Sequence, residues 1–470
     1  MATDTNKTVY PYIPNSAPKT QREMMDFVGV KDLWELYEEI PKELRYTDDL
    51  DIPPAILDEY SMSRHIDEVL GRNVSCKDSL SFLGAGCANH YIPAVVDEIT
   101  TRGEFLTCYG AESWADHGKY QTFVEYNSML AELLDTEVTS VPQYDGGQAL
   151  STAICMANRI NGKPKALLPA SMNPQNRRVA LNYLDSVHEG TKVEPLFYAY
   201  DRKTGCADMD DLKAKLGKDV CAVVVESVNF FGVMEPNVAE IGKLAKKQKA
   251  EYIAYVDPSS LGTLEAPPKY GATIVCGDLH SLGLHLSCGN GQAGFLSTQG
   301  EERYLINYKD FLYGFCVPEV EGEYVFGNLL IDRTHYARRA KGTEFTGTGT
   351  NLWMVSAAVY MALMGPKGFA DLGNTVLAHT AYARKKLSAI KNIRLPFSGA
   401  NYQEIVVNFD KTGKTAAQVN KALLKKGIFG GFDLSCDFPQ LGQSALYCFT
   451  EVTGKQEIDR LASCLADIVK

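Results

Sequence analysis

The sequence predicts an α/β fold with a mostly parallel sheet and a smaller α+β domain at the C-terminal end, and three observations carry that reading. Between Leu80 and Gln299, apolar runs of five to seven residues alternate with helix-length segments, the order of βαβ units. One of those runs closes on an aspartate, Asp257, at the strand end where open α/β sheets bind ligands. Beyond Asn351 the rhythm changes to long helical patterns with two further strands.

Taken in order, residues 1–75 carry acidic and helical patterns over Arg22 to Val28, Lys31 to Ile40 and Pro54 to Val69, and read as a helical arm rather than a domain. Residues 76–350 form the large α/β domain. Its strands are predicted at Lys165 to Pro169, Lys192 to Tyr198, Val220 to Glu226, Tyr252 to Asp257, Ala272 to Cys276 and Ala293 to Ser297, with helices over Gly147 to Arg159 and Val238 to Lys247. The stretch Gly314 to Thr350, with six glycines, yields no periodic element. Residues 351–470 form the small domain. Helix Asn351 to Met364 stops at Gly365-Pro366, and helices Leu372 to Ile390, Thr415 to Lys426 and Lys455 to Asp467 alternate with strands Glu404 to Phe409 and Ala445 to Thr450.

The 470 residues hold 47 Lys+Arg against 58 Asp+Glu, a net charge of −11, with no basic cluster. Nucleic acid and anionic membrane are therefore not expected as partners. The longest apolar candidate, Leu352 to Met364, is too short to span a bilayer. Asp4, Asn6 and three prolines stand before Gln21 where a signal peptide needs an apolar run, so the expected compartment is cytoplasmic. Twelve cysteines without a C-x-x-C pair read as reduced, mostly buried thiols.

Chemistry concentrates at a few positions. Asp257 has the place from which a carboxylate pairs with the pyridinium nitrogen of pyridoxal phosphate, or it caps the turn that follows. Asp145-Gly146 opens a helix whose free N–H groups suit a phosphate, or that start is simply capped. Such a fold would place a Schiff-base lysine some twenty to thirty residues after the aspartate, yet no lysine occurs between Lys269 and Lys309. The scaffold resembles a cofactor protein without its covalent anchor, either a partner subunit or not a cofactor protein at all. His117, beside Asp116 and Glu112, has neighbours that raise and orient an imidazole for proton transfer, or belongs to a solvated loop. His280 and His285 lie near the predicted crevice as stacking, hydrogen-bonding or packing residues. A metal held by them and Asp278 is disfavoured, because neighbours on extended chain face opposite ways. His90 and Tyr91 read as packing residues.

Several segments then carry a family resemblance: Tyr12-Ile13-Pro14, Ile40-Pro41-Lys42-Glu43-Leu44-Arg45, Phe82-Leu83-Gly84-Ala85-Gly86, His90-Tyr91-Ile92-Pro93-Ala94-Val95-Val96, Asn229-Phe230-Phe231-Gly232-Val233 and Met361-Ala362-Leu363-Met364-Gly365-Pro366. In their order the chain resembles the glycine cleavage system P-proteins, and among them the alpha half, subunit 1, of the two-chain form, over nearly its whole length. The resemblance implies a type I pyridoxal-phosphate transferase fold, similar to aspartate aminotransferase. It implies an α2β2 assembly with a sister subunit 2 that carries the Schiff-base lysine, and pyridoxal phosphate shared with or bound mainly by that partner. Ser281 stands where this lysine would be. The family reaction decarboxylates glycine and passes the aminomethyl group to the lipoyl arm of the H-protein.

Site-facing segments depart from the family pattern. The interface loop, Tyr-Thr-Pro-Tyr-Gln-Pro-Glu-Ile-Ser-Gln-Gly in the family, is Tyr109-Gly110-Ala111-Glu112-Ser113-Trp114-Ala115-Asp116-His117-Gly118 here. Glu112, Asp116 and His117 are thus the candidate catalytic residues, and Asp257, His280, Asp145 and Gly146 the candidate cofactor contacts. The added negative charge disfavours a carboxylate substrate, and Trp114 offers an apolar or cation-binding face. A related enzyme acting on a different amine, and a non-catalytic scaffold subunit, stand beside glycine decarboxylation as alternatives.

Overall fold

The computed structural model describes residues 9–10, 12–46, 48, 50–106, 113–185, 192–286, 293–316, 318–342, 346 and 349–470, with the backbone alone for 113–117. The chain divides into two compact units, Met1–Asn73 and Val74–Lys470.

In the first unit, Pro18 begins a helix over Pro18–Val28, and Gly29 ends it in the left-handed conformation by donating its N–H to the Met25 carbonyl. Asp58 caps the helix Glu59–Leu70 by accepting from the Ser61 N–H at 2.7 Å. The helix expected over Lys31 to Ile40 is replaced by a single 3-10 segment, Leu33–Tyr37. A ten-residue segment ended by Pro41 is too short to hold an α-helix without a packed face, and this one buries no residue.

Among the described residues, the strands of the second unit are β1 (Leu80–Ser81), β2 (Val138–Thr139), β3 (Lys165–Pro169), β4 (Glu194–Tyr198), β5 (Val220–Glu226), β6 (Glu251–Tyr255), β7 (Ile274–Asp278), β8 (Gly294–Thr298), β9 (Leu312–Cys316), β10 (Val325–Leu329), β11 (Glu404–Asn408), β12 (Ile428–Phe429), β13 (Phe432–Asp433) and β14 (Ser444–Cys448). The main sheet runs β2-β8-β7-β6-β5-β3-β4. Its body from β7 to β4 is parallel, and β8 and β2 join antiparallel. Residues of β5 alternate between two cores: Val223 and Val225 pack on one face with Tyr252 and Val275, Ala222 and Val224 on the other with Ile253 and Ile274. A strand covered on both faces must be apolar throughout, which is why these runs were legible.

The antiparallel hairpin β9–β10 lies in the stretch that yielded no periodic element. The helix Asn351–Ser388 breaks at Gly365, whose φ of 57° and ψ of −179° are not helical. Pro366 restarts it at once, earlier than the Leu372 expected, because proline suits the first turn of a helix. A second sheet, β11-β14-β13, is antiparallel.

The loop Asn229–Val233 locks this second sheet to the first. The Asn229 side chain accepts from the N–H groups of Phe231 and Val233 and donates to the Gly205 carbonyl at 2.7 Å. Gly232, at φ +73°, passes so close to β11 that an added Cβ would stand 2.0 Å from the Glu404 carbonyl oxygen. Gly232→Ala should therefore cost roughly 2–5 kcal/mol of stability, the left-handed penalty plus the clash with backbone. Gly413→Ala, at φ +71° with nothing within 4 Å, should cost only about 1–2 kcal/mol. Denaturant unfolding of both variants checks this, and equal losses would contradict it.

Candidate functional site

Because β5, β6 and β7 are parallel neighbours, their C-terminal ends open on one crevice, and each end brings a carboxyl group. Glu226 is the last residue of β5, Asp257 lies two beyond β6, and Asp278 is the last residue of β7. The second sheet adds a fourth, Glu404, the first residue of β11. With His90 and His280 these line a cavity of about 110 Å³, and among the described residues no lysine or arginine lines it.

Each carboxyl is held by nearby donors. Glu226 accepts from the Phe230 N–H at 3.2 Å, and Glu404 from the Ala85 N–H at 2.6 Å. One Asp257 oxygen accepts from the Ser259 N–H at 2.9 Å and from the Ser281 hydroxyl at 2.6 Å. Asp278 accepts from the N–H groups of Gly146 at 3.1 Å and His280 at 2.8 Å. Burial nevertheless pushes the pKa values of Glu226, Asp278 and Glu404 up to about 7 each. The charges of Asp145 and Asp257 add to the shift at Asp278, and the two backbone donors only partly offset it.

The two histidines are held differently. His280 Nε2 lies 2.5 Å from the Ala88 carbonyl, which can only accept, so Nε2 carries the proton. Burial holds the pKa of His280 below the usual imidazole value. The ring is then neutral, Nδ1 is an acceptor, and Nδ1 has no partner among the described residues. Burial also works against charge on His90, but its Nδ1 pairs with Glu451 at 2.8 Å and the pKa is raised overall, while that of Glu451 is lowered by the same pair.

Asp257 and His280, singled out from sequence, meet in this cavity. Asp145 caps the helix Gly146–Asn161 through the Gln148 N–H at 2.7 Å, and the Gly146 N–H is taken by Asp278. His285 stands apart in an exposed pair with Asp97 at 2.7 Å. Glu112 lies outside the described residues; Asp116 and His117 fall on the helix Ser113–Leu134, and their side chains lie outside the description. His90, expected to pack, is part of the cavity wall. Sequence reasoning missed Glu226 and Glu404. Glu226 repeats the signal that marked Asp257, a charged residue closing an apolar strand, whereas Glu404 arrives from another sheet and has no local signal. Among the described residues no three His, Cys, Asp or Glu side chains are grouped to hold a metal ion, and no helix is long and apolar enough to cross a membrane.

A family model described as glycine cleavage system P-protein matches residues 11–465. The chain is 36% identical over 467 residues to a probable glycine dehydrogenase (decarboxylating) subunit 1 of Staphylothermus marinus, covering 98% of each. It is 35% identical over 461 residues to the protein of the same name from Pyrococcus abyssi, covering 97% of this chain and 99% of that one. Among solved structures, an inhibitor-bound glycine decarboxylase (P-protein) of the glycine cleavage system superposes with a TM-score of 0.84 at 28% identity, covering 98% and 100% of the two chains. A sphingosine-1-phosphate lyase of Burkholderia pseudomallei, at 14% identity and a TM-score of 0.64 over 92% and 94%, shares the fold alone. The fold is that of the type I pyridoxal-phosphate enzymes.

Family and fold thus imply pyridoxal phosphate, but the residues of this crevice do not fit it. No lysine lines the cavity, and the Ser281 hydroxyl is spent on Asp257. A phosphate needs free N–H groups and positive potential at a helix start. Here Asp278 and Asp145 occupy the N–H groups of Gly146 and Gln148, and their charge would repel a phosphate at close range.

Because the carboxyls of Glu226 and Glu404 titrate near 4 in an unfolded chain and near 7 in the fold, the folded state binds more protons between those values. The stability they contribute is full below pH ~4 and is lost as pH rises through about 7. Glu226→Gln and Glu404→Gln should each be more stabilising, or less destabilising, at pH 8 than at pH 5 by roughly 2 kcal/mol. Parallel unfolding curves across pH for each variant and the parent protein measure this, and a pH-independent difference would contradict it.

Proposed function

Because the chain belongs to the glycine cleavage system P-protein family, we propose that it serves as subunit 1 of a two-chain glycine dehydrogenase (decarboxylating), completing a site whose cofactor and lysine reside on a sister subunit. The single observation that carries this reading is the crevice just described. A chain of this fold has its cofactor position lined by carboxylates, with serine where the lysine would be. The names of the relatives imply a partner subunit. We assign to that partner, subunit 2, the Schiff-base lysine and the greater share of pyridoxal phosphate binding, in an α2β2 assembly with the lipoyl arm of an H-protein as acceptor.

Within that assembly, residues 1–75 form a helical N-terminal arm, residues 76–350 the large α/β domain and residues 351–470 the small domain. Many apolar side chains of this arm, among them Tyr12, Phe27 and Leu57, are exposed and suit burial against another chain. Glu112, Asp116 and His117 reach the sister's site, where His117 moves a proton and its carboxylate neighbours set its basicity.

The sequence of that loop favours a second reading, a related enzyme acting on a different amine. Glu112 and Asp116 oppose a substrate carboxylate by about 1–4 kcal/mol at ~4 Å, depending on the local dielectric.

Both readings meet in one assay: carbon dioxide release from glycine by the two chains together and separately, with H-protein supplied. The paired chains should release it and this chain alone should not; turnover by this chain alone would overturn the proposal. Release from glycine that is unchanged in Glu112→Gln and Asp116→Asn would remove the second reading.

A further inference from the structure

We propose that the crevice of this chain is a binding site in its own right for a small organic ammonium ion, a compact protonated primary amine. This goes beyond the role of completing a sister subunit's site and does not depend on it.

The walls present acceptors. Glu226, Asp257, Asp278 and Glu404 line the cavity with no lysine or arginine among its described lining. The second oxygens of Asp257 and Glu404 have no hydrogen bond to any described residue, since only Oδ1 and Oε1 are used. Independently of this acidic group, His280 is 5% exposed, yet its Nδ1 has no partner among the described residues. With Nε2 committed as donor to the Ala88 carbonyl, Nδ1 can only accept. A buried acceptor left unmade costs free energy that a bound donor recovers.

Those facts define the ligand. An anion is repelled by the carboxylates and meets no lysine or arginine among the described lining. A divalent metal draws its ligands to about 2.0–2.6 Å, and among the described residues no three candidate ligands are grouped to hold one. A neutral alcohol offers one donor. A primary ammonium offers three N–H donors and a positive charge, and its hydrogen bonds of about 2.7–2.9 Å tolerate a wider spacing of acceptors on one cavity wall, among them His280 Nδ1 and the unused oxygens of Asp257 and Glu404. His90 pairs through Nδ1 with Glu451, and its Nε2, on the same lining, also has no partner among the described residues. Val228 and Phe230 give a short apolar wall for a carbon stem. The volume of about 110 Å³ admits several water molecules, or a ligand of a few heavy atoms in their place.

The test is calorimetric titration of the full-length chain, without pyridoxal phosphate and at constant ionic strength, with ethylammonium, ethanol and magnesium as separate probes. Ethylammonium should bind saturably at one site per chain, whereas ethanol, its uncharged near-isostere, and magnesium should not. Glu404→Gln and His280→Gln should each weaken ethylammonium binding by about tenfold or more, the loss expected on removing one hydrogen bond to a charged group. The proposal is overturned by absence of saturable ethylammonium binding, by equal binding of ethanol, by magnesium competing for the same site, or by parental affinity in both variants. The comparison among the three probes needs only the parental protein, so it decides the matter even if a variant fails to fold.

Discussion

Four carboxyl groups meet in one crevice of this protein, and much of the surrounding structure is arranged to hold them there. Three of them end adjacent strands of a sheet whose residues are otherwise apolar, so they cannot escape to solvent without dismantling the core that β5, β6 and β7 share. Backbone N–H groups from five segments turn toward them, those of Phe230, Ser259, Ala85, Gly146 and His280. Donors of this kind soften the burial of charge but do not cancel it, and three of the four groups are held near neutral pH as a result.

The same arrangement explains what the crevice cannot do. In this fold the start of the helix after Asp145 is the natural place for a phosphate, because N–H groups and helix dipole converge there. Asp278 enters that place from β7 and Asp145 closes it from the helix side. Ser281 donates to one oxygen of Asp257, and no lysine lines the crevice. Anchor and phosphate cradle are thus absent from this lining while the strand-end aspartate is kept, which is coherent with a chain that keeps the family scaffold and leaves the cofactor to a partner.

How much of this was legible in the sequence depended on where the determining contacts lie. The buried strands were readable because both faces of β5 are covered and every position must be apolar. Gly365-Pro366 was readable as a helix break because its geometry is local. The hairpin β9–β10 was not, since Phe315, Val325 and Leu329 are exposed and alternate without a polar face to mark the period. Lys31 to Ile40 has helical spacing but packs no core, and spacing alone does not hold a helix in water. At the site, Asp257 and His280 stood out because strand-end position and residue type are both local signals. Glu404 joins them only through the close approach of Gly232 to β11, a long-range contact that no short motif announces.

In the proposed assembly, the cofactor is not anchored on this chain. Borohydride reduction of the purified two-chain complex loaded with pyridoxal phosphate, followed by peptide mapping of the modified lysine, tests it directly. The account predicts modification of one lysine in the sister subunit and none in this chain. Stoichiometric modification of a lysine in this chain would contradict it, because no lysine lines the crevice where the fold would place the cofactor.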